Sequence, residues 1–220
     1  MVNYAVPFYE NTSDNTHCFQ ACLKMIFKYF FPHNEYTFDD LDIISAKVSG
    51  KWTWPMASLM WCSNQNLEVK NIETFNYNMF VSEGEKYLFE FYSKEVAEAQ
   101  IKNSDIPQAI EISKDFIKQI DTEVRLPSIW EIKTFLDKGY LIICNLNSHA
   151  LDLREGYSGH SVLVKGYDKN EFFINDPGLP GIKDRMVDFE TFEKAWAYPD
   201  QNAKNIMAFR KKKINLDKKS

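Results

Sequence analysis

Long hydrophobic runs are missing from this sequence. Nowhere among its 220 residues do apolar side chains continue for the ~18 positions that a membrane-crossing helix needs, so no membrane partner is expected. The opening MVNYAVPFYENTSDN turns polar within a few positions and lacks the charged-then-apolar order of a secretory signal, which points to the cytoplasm. Glycine and proline are scarce, at 8 each, and this excludes fibrous and low-complexity architectures. Positive charge is not in excess: the formal net charge is -5, so no global field attracts nucleic acid. The one basic run, RKKKINLDKKS, stands at the C-terminal end and reads as a solvated tail over 213–220. Cysteines number four, at 18, 22, 62 and 144, and in a reducing compartment they are free thiols rather than a disulfide framework. Cys18 and Cys22 form a lone C-x3-C without a second cysteine pair, and His17 would point away from Cys18 on a helix. No metal site is therefore expected, and no cofactor is implied.

What is present is enough apolar material, 45% of residues with 15% aromatic, to fill one sizeable core. No internal repeat or long linker divides the chain, so a single domain spans 1–220. THCFQACLKMIFKYFF, over 16–31, reads as a helix apolar on nearly every side, with Gln20, Lys24 and Lys28 as a thin polar stripe. TFDDLDIISAKV reads as a capped helix, and a third helix starts near Thr53 with Pro55 in its first turn. LEVKNIETF alternates as a strand, 79–119 is amphipathic and helical, and LPSIWEIKTFLDKG is a helix between a serine cap and a closing glycine. From Tyr140 the character changes. YLIICNLN, GHSVLVKGYD, EFFIND, KDRMVDF and KNIMAFRKK are strands, with the helix DFETFEKAWAY among them. Helices dominate 1–138 and strands 139–212, which predicts an α+β protein whose cysteine-bearing helix packs on a C-terminal antiparallel sheet.

Three residues carry the chemistry. Cys18 stands at the N-terminus of the buried helix, where unpaired N–H groups and the helix dipole favour a thiolate and an oxyanion. His160 begins a strand otherwise made of valine and leucine, a position where a polar ring needs a cleft or a partner. Asp176 ends the next strand of the same hairpin, so the two open strand ends lie side by side and Asp176 can hold the imidazole tautomer. Taken singly, each residue also has a structural explanation: buried cysteine, satisfied histidine, ordinary Asp-Pro-Gly turn. Their conjunction favours a nucleophile, a base and an orienting group. Trp52 and Trp54, in GKWTWPMASLMW, either line a substrate cleft or plug the gap between the two parts of the chain.

VPFYENTSDNTHCFQACLKMIFKYF resembles the opening block of the C39-like, double-glycine or bacteriocin-processing, cysteine peptidases. GHSVLVKGYDKNEFFINDPG resembles their second block, and FETFEKAW the helix that follows. The resemblance implies a papain-like fold with a cleft between the cysteine helix and the sheet. It implies a nucleophile at Cys18, a base at His160 and an orienting carboxylate at Asp176. Two positions depart from the family pattern. Phe19 follows the cysteine where the family has glycine, and it stands to crowd the cleft. Thr12 occupies the place of the family's oxyanion glutamine, which leaves the Asn11 amide as the expected donor, with Gln20 on the solvent-facing stripe. The expected function is a cysteine hydrolase acting on a peptide or amide substrate, with Phe19, Trp52 and Trp54 at the substrate. Another thioester acyl transfer on the same site, such as transglutamination or deamidation, and a non-catalytic peptide-binding module are the alternatives; substrate identity and oligomeric state are not legible.

Overall fold

The structure, a computed structural model, describes residues 1–212, and the basic tail assigned to 213–220 lies outside the described residues. A short strand β1 (Val2–Asn3) precedes an irregular segment and then helix α1 (Cys18–Phe30). Phe19, Ala21, Cys22, Leu23, Met25, Ile26 and Phe27 of α1 are buried. Each large apolar side chain so placed contributes about 1.5–3 kcal/mol of transfer free energy, so α1 lies in the interior. Helix α2 (Phe38–Ile44) starts from a capping box in which Thr37 and Asp40 satisfy each other's backbone N–H. Helix α3 (Met56–Asn64) starts directly after Pro55, and strand β2 (Leu67–Glu73) follows. Four helices, α4 (Tyr77–Glu83), α5 (Glu85–Phe91), α6 (Lys94–Asn103) and α7 (Ile106–Gln119), occupy the amphipathic stretch. Strand β3 (Thr122–Val124) leads to α8 (Ile129–Asp137), which has a Ser128–Glu131 capping box and closes at Gly139, whose φ of 83° suits glycine. The rest is β4 (Leu141–Asn147), the one-turn α9 (Ser148–Leu151), β5 (Gly159–Tyr167), β6 (Glu171–Asp176), β7 (Ile182–Asp188), α10 (Phe189–Trp196) and β8 (Asn205–Lys211).

The strands form one sheet in the order β3-β2-β8-β4-β5-β6-β7, with β1 added to the end of β5. All pairs are antiparallel except β2 with β3. The mixed helix-and-sheet class is as expected, but the sheet is not confined to the C-terminal half: β2, which the sequence marks as a strand, and β3, which it does not mark, come from the mainly helical part and join it. The sheet is also covered on both faces. Leu141, Ile143, Leu163, Met207 and Phe209 pack with α1 and the other N-terminal helices. Ile142, Cys144, Val162, Val164, Ile206 and Ala208 pack with Ile132 and Leu136 of α8 and Phe192 and Trp196 of α10. Burial on two faces explains why β4 is apolar without alternation. Among the described residues no helix is long and apolar enough to cross a membrane.

The N-terminal segment is fastened across the sheet before it reaches α1. Val2 and Asn3 pair with Tyr167 and Gly166, and Tyr4 N–H donates to the Lys165 carbonyl. Lys165 lies at a register shift in β5 and is buried; its ammonium donates to the Tyr4 carbonyl at 3.1 Å and the Asn3 side chain and pairs with Asp184 at 2.7 Å. Gly166 permits the close approach: a Cβ there would lie 2.3 Å from the Val2 carbonyl oxygen and 2.7 Å from Asn3 Cα. Both obstacles are backbone and cannot rotate away. Gly166→Ala should therefore lower stability by about 1–3 kcal/mol. The check is a lower urea midpoint with an unchanged denaturant slope.

Candidate active site

Asn11 determines where α1 begins. Its side-chain carbonyl accepts from the backbone N–H of His17 at 2.7 Å and of Thr12 at 2.9 Å. Its own N–H donates to the Pro177 carbonyl at 2.9 Å, tying the loop to the end of β6. His17 holds the N-cap position without capping through its side chain. Its ring is instead held sideways, Nδ1 toward Asp14 and Nε2 toward Asp42, each at 3.1 Å, with Phe38 edge-on. The first-turn N–H groups of Cys18, Phe19 and Gln20 then have no intrahelical acceptor and collect at the helix mouth.

At that mouth the thiol of Cys18 meets His160, from the start of β5, and both line one cleft. The far ring nitrogen of His160, Nε2, lies 2.7 Å from Asp176 Oδ1 at the end of β6. The ring nitrogen left for the sulfur is Nδ1. Asp176 Oδ1 also accepts the Gly178 N–H at 3.0 Å, and its Oδ2 accepts from Arg185 at 2.8 Å. Arg185, on β7, reaches Asp152 at 2.9 Å and the Leu151 carbonyl at 2.9 Å as well. Burial alone would push the Cys18 thiol up, but the hydrogen bond and positive charge of His160, with Ser161, outweigh it and hold the thiol below its ordinary value. Burial disfavours the imidazolium too, yet the hydrogen bonds and charges of Asp176 and Cys18 raise His160 to about 10. Asp176 resists burial in the same way and is held below the usual carboxylate range by His160, Gly178 and Arg185. The three groups thus favour a thiolate, an imidazolium and a carboxylate in contact.

A cleft of about 490 Å³ opens over them. Cys18, His160 and Asp176 line it, as do Phe19 and Trp52. Phe19 is only 3% exposed and its ring belongs to the core, so it borders the cleft without filling it. Trp52 packs edge-on to Tyr157 at 6.4 Å. Trp54 is not brought to the cleft; it stacks on Phe80 at 4.9 Å and meets Phe75, packing α4 onto the segment before α3. Nor does Asn11 line the cleft: its carbonyl holds the helix start and its NH₂ donates to Asn15 Oδ1 at 2.9 Å. Gln20 does not face solvent. It is fully buried, and its amide donates to Ser45 at 2.9 Å and Thr53 at 2.7 Å, tying α1 to its neighbours. The polar stripe of α1 is buried there because α2 and the 45–53 segment fold over it.

Sequence reasoning missed Arg185 and Asn15. Arg185 is an unremarked cation in a mostly exposed strand, and only the β6–β7 pairing carries it to Asp176. Asn15 does carry a signal: it lies three residues before Cys18 with φ at 56°, a conformation that asparagine tolerates better than most residues. Both asparagine amides are oriented by unambiguous partners. Two backbone donors identify the oxygen of Asn11, so its nitrogen faces Asn15 Oδ1, and the Asn15 nitrogen is left over beside the cleft.

The four thiols should separate sharply. Cys22, Cys62 and Cys144 are buried and pushed up, and Cys22 is spent on the Ser161 carbonyl at 3.6 Å. Iodoacetamide at pH 7 should alkylate Cys18 first, and site-resolved mass spectrometry reads it. Because the native thiol ionises below its ordinary range, the labelling rate should level off on the acid side of pH 9. His160→Ala removes the cation and should move that rise to higher pH. Labelling of Cys18 no faster than Cys62 refutes the thiolate.

The sequence pattern of the Peptidase_C39 like family matches residues 4–204. Among curated proteins, the uncharacterized protein YvpB of Bacillus subtilis (strain 168) is 52% identical over 40 residues, which cover 18% of this chain and 15% of that protein. Among solved structures, a double glycine motif protease from an AMS/PCAT transporter, in complex with the leader peptide, is similar with a TM-score of 0.48 at 15% identity, covering 94% of this chain and 93% of that one. The peptidase domain of Streptococcus ComA, a bifunctional ABC transporter involved in a quorum-sensing pathway, gives 0.48 at 13% identity, covering 92% and 96%. A putative C39-like peptidase from Bacillus anthracis gives 0.35 at 22% identity, covering 47% and 57%. With its pattern matched over nearly the whole length, the chain belongs to the Peptidase_C39 like family.

Proposed function

We propose that this protein is a cysteine hydrolase that cleaves an amide or peptide bond through a thioester on Cys18. The observation that carries the reading is the contact series at the mouth of α1: a lowered thiol against His160, whose far nitrogen lies 2.7 Å from Asp176. A non-catalytic binding module has no use for a thiol held down in this way, and family membership supports peptidase chemistry.

The steps follow from the positions of the groups. The Cys18 thiolate attacks the carbonyl carbon; a C–S bond forms and the carbonyl π pair moves to oxygen. That oxyanion falls at the helix mouth, where the backbone N–H of Cys18 donates to it. The free amide nitrogen of Asn15 takes the role assigned from the sequence to Asn11, and Asn11 becomes the residue that orients it. His160 then gives its proton to the departing nitrogen as the C–N bond breaks. Water, deprotonated by His160, attacks the thioester, releases the acid and restores the thiolate. Asp176 keeps the imidazole in the tautomer that faces the sulfur, and Arg185 keeps Asp176 ionised and in place.

Incubation with a mixed peptide library, read by mass spectrometry, tests the chemistry. Wild type should generate new termini and Cys18→Ala none. No cleavage of any library member by protein whose Cys18 alkylates rapidly would instead favour acyl transfer, which an added amine would reveal as a new conjugate. Asn15→Gly removes the amide while suiting the local backbone, and it should lower kcat by roughly 100- to 1000-fold with little change in KM. Alkylation of Cys18 should stay fast in that variant, because alkylation develops no oxyanion.

A further inference from the structure

The cleft extends well past Cys18, and its far end is chemically unlike its near end. A row of polar residues crosses the sheet at that edge. Glu73 on β2 pairs with Asn205 on β8; Asn205 exchanges hydrogen bonds with Asn145 on β4; Asn145 pairs with Ser161 on β5, next to His160. All four line the cleft. Three strand spacings of about 4.8 Å put Glu73 roughly 14 Å from Ser161, the span of about four residues of extended chain.

Glu73 is the one carboxylate of this cleft, among the described residues, that has no cation. Asp152 and Asp176 are neutralised by Arg154 and Arg185. Glu73 has only neutral partners, the Asn71 amide at 2.7 Å and the Tyr77 hydroxyl at 2.9 Å, and both bond to Oε1. Its Oε2 has no hydrogen-bond partner among the described residues, and Glu73 lines the cleft. Burial raises its pKa against the help of those two hydrogen bonds, the signature of a carboxylate that lacks a counter-charge. Tyr92 supplies an aromatic wall here, close enough to feel the charge of both Glu73 and Tyr157. Tyr157 stacks on Tyr198 at 5.8 Å and meets Trp52 edge-on nearer to His160, where a Cβ on Gly159 would lie within 3.5 Å of both. Ring faces attract cations, and a desolvated site strengthens the effect. The net charge of -5 favours the approach of a basic ligand.

We propose that the Glu73 corner is a subsite for a basic side chain, lysine or arginine, carried by the substrate about four residues from the bond attacked at Cys18. The proposal rests on reading the cleft as a peptide site. An ammonium or guanidinium reaching this corner donates to Glu73 Oε2 and lies against Tyr92. Glutamine at the same place offers a donor but no charge and leaves the carboxylate uncompensated.

The test is calorimetric titration of the full chain with Ac-Lys-Gly-Gly-Gly-NH₂ and Ac-Gly-Gly-Gly-Lys-NH₂, each against its glutamine counterpart, with n-pentylammonium as the free-amine arm. One lysine peptide should bind at least about tenfold tighter than its glutamine counterpart, and Glu73→Gln should abolish the difference. Tyr92→Leu, which leaves Asn71 and Tyr77 their partner, should weaken the lysine peptide several-fold and serves if Glu73→Gln does not fold. Equal binding of lysine and glutamine peptides, no binding of either, or a preference that survives both substitutions overturns the subsite. Tight binding of n-pentylammonium alone, lost in Glu73→Gln, with no peptide preference assigns the corner to free amines and overturns the side-chain proposal. Iodoacetamide labelling of the same protein separates the two readings: a reactive Cys18 without lysine preference defeats only the subsite, and lysine preference with an inert Cys18 defeats only the hydrolase.

Discussion

The burial of α1 along its flanks, with its first turn left open, is the constraint on which the rest depends. A helix clad in phenylalanine, leucine, isoleucine and methionine has no freedom to shift against the sheet, because the interior is packed too densely to slide. Its N-terminus is therefore a stationary point. Asn11 finishes the placement by accepting the His17 N–H, and the Asn11 backbone is itself tied to Pro177, beside Asp176. One asparagine thus connects the start of the cysteine helix to the strand end that carries the carboxylate.

Electrostatics at the mouth follow from this geometry. Thiol, imidazole and carboxyl are each taken out of water, which by itself favours their neutral forms. Contact reverses the outcome, since each charged form stabilises the next and Arg185 ends the series with a permanent cation. Cys22, one turn further along the same helix, shows what happens without such a partner: burial drives its thiol up. Two cysteines on one helix face thus shift in opposite directions, and the difference lies in position relative to the sheet end.

Much of the fold was legible in local pattern. Ser128 with Glu131, Thr37 with Asp40 and Gly139 are capping devices whose partners lie within a few residues, and the structure uses each of them. The hairpin of β5 and β6 is likewise local, and the Asp176–His160 approach comes with it. The misses are non-local. β3 is three residues long and mostly exposed, so no apolar alternation marks it, and its pairing with β2 bridges four helices. The second helical layer, on the α8 and α10 face, explains the unbroken apolar run of β4, a run that by itself states burial but not by what.

Side-chain direction was the least readable property. Gln20, Trp54 and Asn11 were all assigned from their neighbours in sequence, and each is turned by a distant segment: Ser45 and Thr53 for Gln20, Phe80 for Trp54, Pro177 for the Asn11 loop. By sequence alone this protein has its elements, their amphipathic faces, the helix-start cysteine and the hairpin that joins histidine to aspartate, because capping, periodicity and short turns act over a few residues. Only tertiary structure decided that Asn15 rather than Asn11 lines the cleft, that Arg185 holds the aspartate, and that Glu73 stands at the far end without a counter-ion among the described residues. Those facts depend on which strands become neighbours, and strand pairing is settled by burial summed over the whole core.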